Sequence, residues 1–272
     1  MSQGEKSKVS EALLRVVGLV VEYPGRHGHQ AVRAVDGVSF DLKPGETLGL
    51  VGESGCGKST ISRAITQLVR ASAGQVWLHG EAGEVDLCTL HGEALRQTRR
   101  SVQMVFQDPF SSLDPRLTAV AIVAEPLRCF GAATRVALDR ARELLALVGI
   151  DPLLGGRYPH EFSGGQRQRI GLARALALEP KVLICDEPVS ALDVSIQAQV
   201  LNLLVDLRSK LGLTMLFISH DLAVVRHLAD RVAVMQAGRI VELADAGRLY
   251  ADPQHPYTRQ LLAAVPRLPV AL

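Results

Sequence analysis

A glycine-rich stretch in the first quarter of the chain has the residue types that hold phosphate groups. It reads Gly52-Glu53-Ser54-Gly55-Cys56-Gly57-Lys58-Ser59-Thr60 and matches the pattern G-x-x-x-x-G-K-[ST]. Glycines allow successive backbone N–H groups to turn inward around an anion. Lys58 would add a positive charge for the β- and γ-phosphates, and Ser59 a hydroxyl for Mg²⁺. The stretch therefore predicts a binding site for a nucleoside triphosphate and Mg²⁺.

The two flanks of this loop support the same interpretation. Residues 48–51 predict a buried strand before the loop, and residues 60–69 predict a helix after it. Such a helix would direct its dipole and its unpaired N-terminal amides at a bound phosphate. The alternative is a glycine-rich turn with a chance lysine, which leaves the strand-to-helix context unexplained.

Two carboxylates follow another apolar segment. Residues 182–185 are apolar and lead into Asp186-Glu187-Pro188. Ligands bind at the carboxyl ends of strands in α/β sheets, so we expect both carboxylates near the phosphate loop. Asp186 is the predicted Mg²⁺ ligand, and Glu187 the predicted general base for an attacking water. The alternative is a pair of solvated loop carboxylates.

Two further stretches have residue types that contact phosphate. His220 follows the apolar segment 213–219, from which it would reach a γ-phosphate and a water. Taken alone, a structural histidine is the simpler interpretation. Ser163-Gly164-Gly165 precedes a predicted helix over 166–178 and makes a second anion-binding helix start.

Composition indicates a globular protein and argues against several classes. Hydrophobic residues make up 47% of the chain, charged residues 21%, and the net charge is +2, which gives no electrostatic basis for a nucleic-acid partner. The four cysteines are far apart and predict neither a zinc site nor a disulfide framework. The N-terminus lacks the apolar core of a signal peptide, and no apolar run is long enough to cross a bilayer. We therefore expect a cytosolic protein that meets a membrane only through another protein.

Hydrophobic periodicity predicts an α/β core. Strands are predicted over 13–23, 35–42, 75–78, 101–106, 182–185, 213–219, 232–235 and 239–243. A helical region over 114–177 includes a helix over 134–148, and a later helix begins at its N-cap Asp193 and ends at Gly212. The alternation of strands and helices predicts a mostly parallel sheet, with the helical region inserted into it.

His27 and His29 lie in a predicted loop, where a metal site is the alternative to two solvated side chains.

Taken together, these motifs resemble the ATP-binding subunit of an ABC transporter, over about residues 13–243. Gly52 to Thr60 resembles the Walker A loop, Gln107 the Q-loop, Ser163 to Gln166 the signature motif, residues 182–187 Walker B, residues 190–193 the D-loop, and His220 the switch histidine. All six stand in the family's order. The resemblance implies a P-loop NTPase fold with a RecA-like core of the ABC type, an N-terminal antiparallel β subdomain and an α-helical subdomain inserted at about 108–177. Residues 1–12 are then a polar tail and 244–272 a C-terminal extension.

The resemblance also implies how ATP and Mg²⁺ are used. ABC subunits pair head to tail, so that Ser163, Gly164, Gly165 and Gln166 of one subunit contact ATP on the Walker A loop of the other. Glu187 would be the general base, His220 would hold the γ-phosphate and the water, and Gln107 would join Ser59 and Asp186 at Mg²⁺. Asp193 belongs to the D-loop. Tyr23 lies where the family places an aromatic on adenine; the alternative is a core tyrosine at a strand end.

Three segments resemble the oligopeptide, dipeptide or nickel importer branch: residues 106–116, 157–162 and 254–258. The implied function is ATP hydrolysis that powers peptide uptake, with nickel or another small solute as the alternative cargo. The implied partners are an integral membrane permease at the cytoplasmic face of the inner membrane, a second ATP-binding subunit, identical or paralogous, and indirectly a substrate-binding protein. The tail has no cysteine, so no iron–sulfur cluster is predicted. A soluble ABC ATPase of DNA repair or translation and a phosphate-loop kinase are the competing classes.

Two finer expectations concern single side chains. Phe106, Phe110 and Leu113 are candidates for the permease contact, with core packing as the alternative and the better one for Phe106. Cys56 lies at a predicted helix N-terminus, which is expected to lower the pKa of its thiol.

Overall fold

Two β-sheets form the centre of the computed structural model, which describes residues 12–25, 31–80, 83–108 and 112–264. The strands are β1 Leu14–Tyr23, β2 Val32–Leu42, β3 Thr47–Val51, β4 Ala73–Gly80, β5 Gly83–Asp86, β6 Val102–Val105, β7 Val182–Asp186, β8 Thr214–Ser219, β9 Arg231–Gln236 and β10 Arg239–Asp245. The α-helices are α1 Lys58–Ile65, α2 Gly92–Thr98, α3 Ala119–Cys129, α4 Thr134–Leu147, α5 Gly164–Leu176, α6 Val194–Leu211, α7 Leu222–Leu228, α8 Ala246–Ala251 and α9 Pro256–Ala264.

The smaller sheet is antiparallel and the larger one is mostly parallel. The smaller has the order β2-β1-β4-β5, and the larger has the order β10-β9-β3-β8-β7-β6. Within the larger sheet β10 runs antiparallel to β9, whereas the pairs from β9 through to β6 are parallel. Helices α3 to α5 lie between β6 and β7 in the chain. The α/β architecture and its mostly parallel sheet confirm the prediction from the sequence.

The register of the parallel strands brings several chain segments to one edge of the larger sheet. Val51, the last residue of β3, lies opposite Ser219, the last residue of β8. Asp186 at the end of β7 lies opposite Ile218 of β8, and β6 ends one residue earlier beside β7. The residues that follow β3, β6, β7 and β8 therefore all begin at the same edge.

Both faces of the larger sheet are buried, as expected for parallel strands. Along β7, Leu183 and Cys185 pack in a cluster with helices α3 to α6, whereas Val182 and Ile184 pack in a second cluster with α1 and the smaller sheet. Successive strand residues point to opposite faces, so a continuous apolar run supplies both clusters. This two-sided burial fixes the strand ends in place.

Some helix boundaries differ from the predicted ones. The helix after the phosphate loop ends at Ile65 rather than near 69, because Gln67 adopts a left-handed φ of 56° that ends the helical path. Asp193 stands at the N-cap of α6 as predicted, but its side chain accepts no hydrogen bond from that helix. Helix α7 was not predicted, although Asp221 caps it by accepting a hydrogen bond from the Ala223 amide at 2.7 Å. Strand β5 and helices α2, α8 and α9 were not predicted either, since these short elements have weak periodicity.

None of the helices in the described part of the chain is long and apolar enough to cross a membrane. The loop with His27 and His29, and Phe110, lie outside the described residues.

Arg231 joins the two sheets through a pair of ionic contacts. Its guanidinium donates to a carboxylate oxygen of Asp41 in β2 at 3.2 Å and to one of Glu46, just before β3, at 3.1 Å. Glu46 is only 8% exposed. A buried carboxylate that loses its cationic partner is costly, because it keeps its charge away from water.

We expect Arg231→Met to lower the free energy of unfolding by about 3 kcal/mol, measured by urea denaturation followed by circular dichroism. Arg140→Met is the matched control, since Arg140 forms exposed ion pairs with Glu143 and Glu179; it should cost less than about 1 kcal/mol. Adding Glu46→Gln to Arg231→Met should recover part of the loss. Equal midpoints for the two arginine variants would contradict this account.

Candidate active site

The phosphate loop joins β3 to α1 and depends on its glycines. Gly52, Gly55 and Gly57 have positive φ angles of 155°, 81° and 109°. A Cβ on Gly57 would lie 2.2 Å from the carbonyl oxygen of Ala34, so any side chain there would push the loop away from β2. The predicted need for glycine in this loop thus has a steric basis.

The ammonium group of Lys58 is held by the loop's own carbonyl groups. Nζ donates to the carbonyl oxygens of Gly52 at 2.7 Å and Glu53 at 2.8 Å. The side chain is buried, and both contacts satisfy its charge in the absence of phosphate. The loop carbonyls therefore hold the positive charge of Lys58 inside the loop.

The carboxylate of Asp186 is buried and bound by two hydroxyl groups of α1. Ser59 Oγ donates to it at 2.9 Å and Ser62 Oγ at 3.2 Å. Burial raises the pKa of Asp186, and the two hydroxyl hydrogen bonds oppose that rise. A Mg²⁺ ion fits this donor set, because it prefers carboxylate and hydroxyl oxygens and would offset the cost of burying the charge.

Ser62 was not among the site residues predicted from the sequence. It follows Ser59 by one helical turn in α1 and therefore faces the same side of the helix. This i, i+3 spacing from the predicted Mg²⁺ ligand was the available signal.

Glu187 contacts two of the other predicted site residues. Its Oε2 is 3.1 Å from His220 Nδ1 and accepts a hydrogen bond from Gln107 Nε2 at 3.4 Å. The residue has a left-handed φ of 47°, while its amide donates to the Ile218 carbonyl oxygen at 3.0 Å. Such strained backbone is common at functional sites, where surrounding contacts maintain it. Two of the residues predicted from the sequence thus contact the carboxylate of a third.

These residues line a cleft of about 350 Å³. Its walls are formed by Ala34, Ser54, Gly55, Gly57, Lys58, Ser59, Thr60, Gln107, Glu187 and His220. The predicted loop residues Gly52, Glu53 and Cys56 are not among this lining. The carbonyls of Gly52 and Glu53 hold Lys58, and Cys56 is buried. Tyr23 is partly buried against the core, and its hydroxyl is 3.5 Å from Thr60 Oγ1; stacking on adenine stays a prediction.

The serine–glycine stretch does not join this cleft within one protomer. Ser163 Oγ accepts the Gln166 amide at 3.3 Å, and Gln166 Oε1 accepts the Ser163 amide at 3.0 Å, which forms a capping box at the start of α5. A Cβ on Gly165 would lie 2.4 Å from Ile196 Cγ2, so glycine lets α5 pack closely on the start of α6. The capping box therefore engages the amides of Ser163 and Gln166 within the protomer.

The expected lowering of the Cys56 pKa is wrong. The thiol is 8% exposed, and burial raises its pKa, although nearby Lys58 partly opposes the rise. Helix α1 begins at Lys58, with Gly57 as its N-cap, so Cys56 lies behind the helix terminus within the apolar core. The neutral thiol is therefore the favoured form.

We expect a thiol reagent at pH 7 to modify exposed Cys129 about tenfold or more faster than Cys56, because the thiolate is the reactive form and Cys56 is both buried and protonated. Mass spectrometry of peptides from partly labelled protein would measure both rates. Cys129→Ser should remove the fast phase and leave the slow one. Labelling of Cys56 as fast as that of Cys129 would contradict the buried environment.

Comparison with known proteins identifies the family. Residues 35–190 match the family described as ABC transporter. The chain is 56% identical over 237 residues to the oligopeptide transport ATP-binding protein AppF of Bacillus subtilis (strain 168), covering 86% of this chain and 71% of that protein. It is 51% identical over 265 residues to the oligopeptide transport ATP-binding protein OppF of Salmonella typhimurium, covering 94% and 78%.

A solved structure shows the same fold. The ATP-binding cassette MJ0796, described as a dimeric post-hydrolysis state bound to ADP and Pi, has a TM-score of 0.76 and 28% identity, covering 86% of this chain and 98% of that one. The family match spans more than half of this chain, and the relatives match most of it at over 50% identity. With its phosphate loop, buried Asp186 and Glu187–His220 pair, the chain belongs to the ABC transporter family and is an ATPase with the P-loop NTPase fold.

Proposed function

We propose that this chain is the ATP-hydrolysing subunit of an importer that moves peptides through a membrane permease. One observation carries the ATPase half of the proposal: Lys58, Asp186, Glu187 and His220 meet at a single edge of the parallel sheet. The relatives are named as oligopeptide and peptide import proteins, which supports peptide as the cargo. Nickel or another small solute is the alternative cargo.

In the proposed reaction Glu187 orients and activates a water. Its carboxylate accepts a proton from the water as the water oxygen bonds to the γ-phosphorus, and the bond to the β–γ bridging oxygen breaks to release ADP and phosphate. His220 Nδ1, 3.1 Å from Glu187 Oε2, holds that carboxylate in position. Ser59, Asp186 and Gln107 would hold Mg²⁺, which neutralises phosphate charge when bound. Lys58 would keep its two loop carbonyls and direct its remaining N–H at the phosphate oxygens.

We further propose that two subunits complete each site head to tail. The cleft has a cationic loop and a base, but the helix start at Ser163 to Gln166 is not part of its described lining. That helix start has the amides that a γ-phosphate requires. If this helix start contacts the ATP bound to the partner subunit, ATP holds the dimer together, and hydrolysis separates the two subunits. The D-loop role of Asp193 belongs to the same interface.

We place the proposed permease contact at a groove of about 390 Å³ beside Phe106, the residue that precedes Gln107. Its walls include Leu68, Phe106 and Met104. Phe106 is 38% exposed, so its expected core packing is wrong, and the ring is available to a partner. Leu113 is buried in the core and does not serve this contact. Because Phe106 precedes Gln107 directly, the groove is covalently joined to a residue that contacts the catalytic carboxylate. Through this contact with the permease, we place the subunit at the cytoplasmic face of the membrane.

Glu187→Gln should lower steady-state ATP hydrolysis by about 100-fold or more while ATP affinity changes less than about twofold, since the amide cannot accept the proton. Phosphate release and equilibrium ATP binding measure the two effects. ATP should also increase the dimer fraction of this variant in light scattering. Glu143→Gln, at an exposed position of α4, is the control and should retain wild-type turnover. Wild-type turnover in Glu187→Gln would remove Glu187 as the base.

The identity of the cargo is tested with the reconstituted transporter complex rather than with the isolated subunit. The chain should co-purify with an integral membrane permease, and peptide-loaded binding protein should stimulate ATP hydrolysis by the reconstituted complex several-fold. Stimulation by a nickel-loaded binding protein alone would replace peptide with metal as the cargo. Failure to recover any membrane partner, with full ATPase activity in a soluble complex, would favour a soluble ABC ATPase.

A further inference from the structure

The C-terminal segment after β10 folds back onto the phosphate loop. The hydroxyl oxygen of Tyr257, in α9, accepts a hydrogen bond from the Glu53 amide at 3.2 Å. The two residues are separated by about 200 positions in the chain, so the contact is made only in the folded protein. Glu53 is a loop residue, yet its N–H is directed at this tyrosine and does not line the cleft.

Tyr257 is held firmly enough to position another group. The ring is 6% exposed and packs in the cluster that contains helices α3 to α6. Just before it, the amides of Gln254 and His255 donate to the carboxylate of Glu242 in β10 at 2.8 and 2.9 Å. The start of α9 is thus fastened to the edge strand of the larger sheet.

The hydrogen bond from Glu53 also affects Lys58. The Glu53 N–H and the Gly52 carbonyl belong to the same peptide unit, which is trans and planar. In a trans unit these two groups point in opposite directions. Tyr257 holds the N–H side, and the carbonyl on the other side accepts from Lys58 Nζ at 2.7 Å. Rotation of this peptide plane would displace the carbonyl that anchors the lysine.

We propose that Tyr257 is a positioning residue for the nucleotide site: its hydroxyl fixes the Gly52–Glu53 peptide and thereby holds Lys58 where it meets the phosphates. This inference rests on the assignment of the cleft to ATP. The C-terminal segment then serves the catalytic loop directly, in addition to packing on the core.

Tyr257→Phe separates the hydroxyl from the ring, because phenylalanine keeps the buried aromatic packing. We expect the dissociation constant and KM for ATP to rise about fivefold, the effect of one neutral hydrogen bond, with kcat at saturating ATP changed less than about twofold. Uniform loss of phosphate binding raises KM in this way. A merely structural defect would instead lower the active fraction, and hence kcat, at unchanged KM.

The matched control is Tyr250→Phe. Tyr250 lies in α8 of the same segment, and its hydroxyl donates to the Leu222 carbonyl oxygen rather than to the phosphate loop, so ATP affinity should be unchanged. Unaltered ATP affinity in Tyr257→Phe would overturn the inference, and so would an equal loss in both variants, which would indicate general support from packing. If wild-type protein bound no ATP, the proposed function itself would fail, an outcome distinct from a Tyr257→Phe variant that matches wild type.

Discussion

The parallel register of β3, β8 and β7 is the constraint on which the active site depends. Val51 lies opposite Ser219, and Asp186 opposite Ile218, so the segments that leave these strands start side by side. Each strand is buried on both faces, which prevents a shift in register without exposing apolar side chains. The phosphate loop, the two carboxylates and His220 therefore meet although they are far apart in the chain.

The site is a network of charged side chains, each of which has partners within the protein. Lys58 is satisfied by loop carbonyls, Asp186 by Ser59 and Ser62, and Glu187 by His220 and Gln107. Each contact compensates a charge that would otherwise be costly in a partly buried site. ATP and Mg²⁺ would add phosphate oxygens and the metal to these internal partners. Preorganisation of this kind reduces the rearrangement needed at the moment of reaction.

Two regions outside the cleft, the groove beside Phe106 and the C-terminal segment, are connected to residues of the site. The groove beside Phe106 is joined through the backbone to Gln107, which donates to Glu187. On another side, Tyr257 fixes the peptide whose carbonyl holds Lys58. In the proposed function, a permease contact at this groove would act on Glu187 through Gln107, whereas the C-terminal segment acts on Lys58. We expect the first to vary during the transport cycle and the second to remain fixed, because the segment just before Tyr257 is anchored to Glu242 of β10.

The sequence by itself determined the elements with local signatures: the phosphate loop, the apolar strands that end at Asp186 and Ser219, and the helix start at Ser163. Short-range rules of glycine geometry, periodicity and capping are sufficient for these. Only the tertiary structure decided how they interact. It placed Ser62 on Asp186, buried Cys56 and so raised its pKa, exposed Phe106, and brought Tyr257 to Glu53. Burial and contacts between residues distant in the chain depend on how layers pack, and no local pattern encodes that.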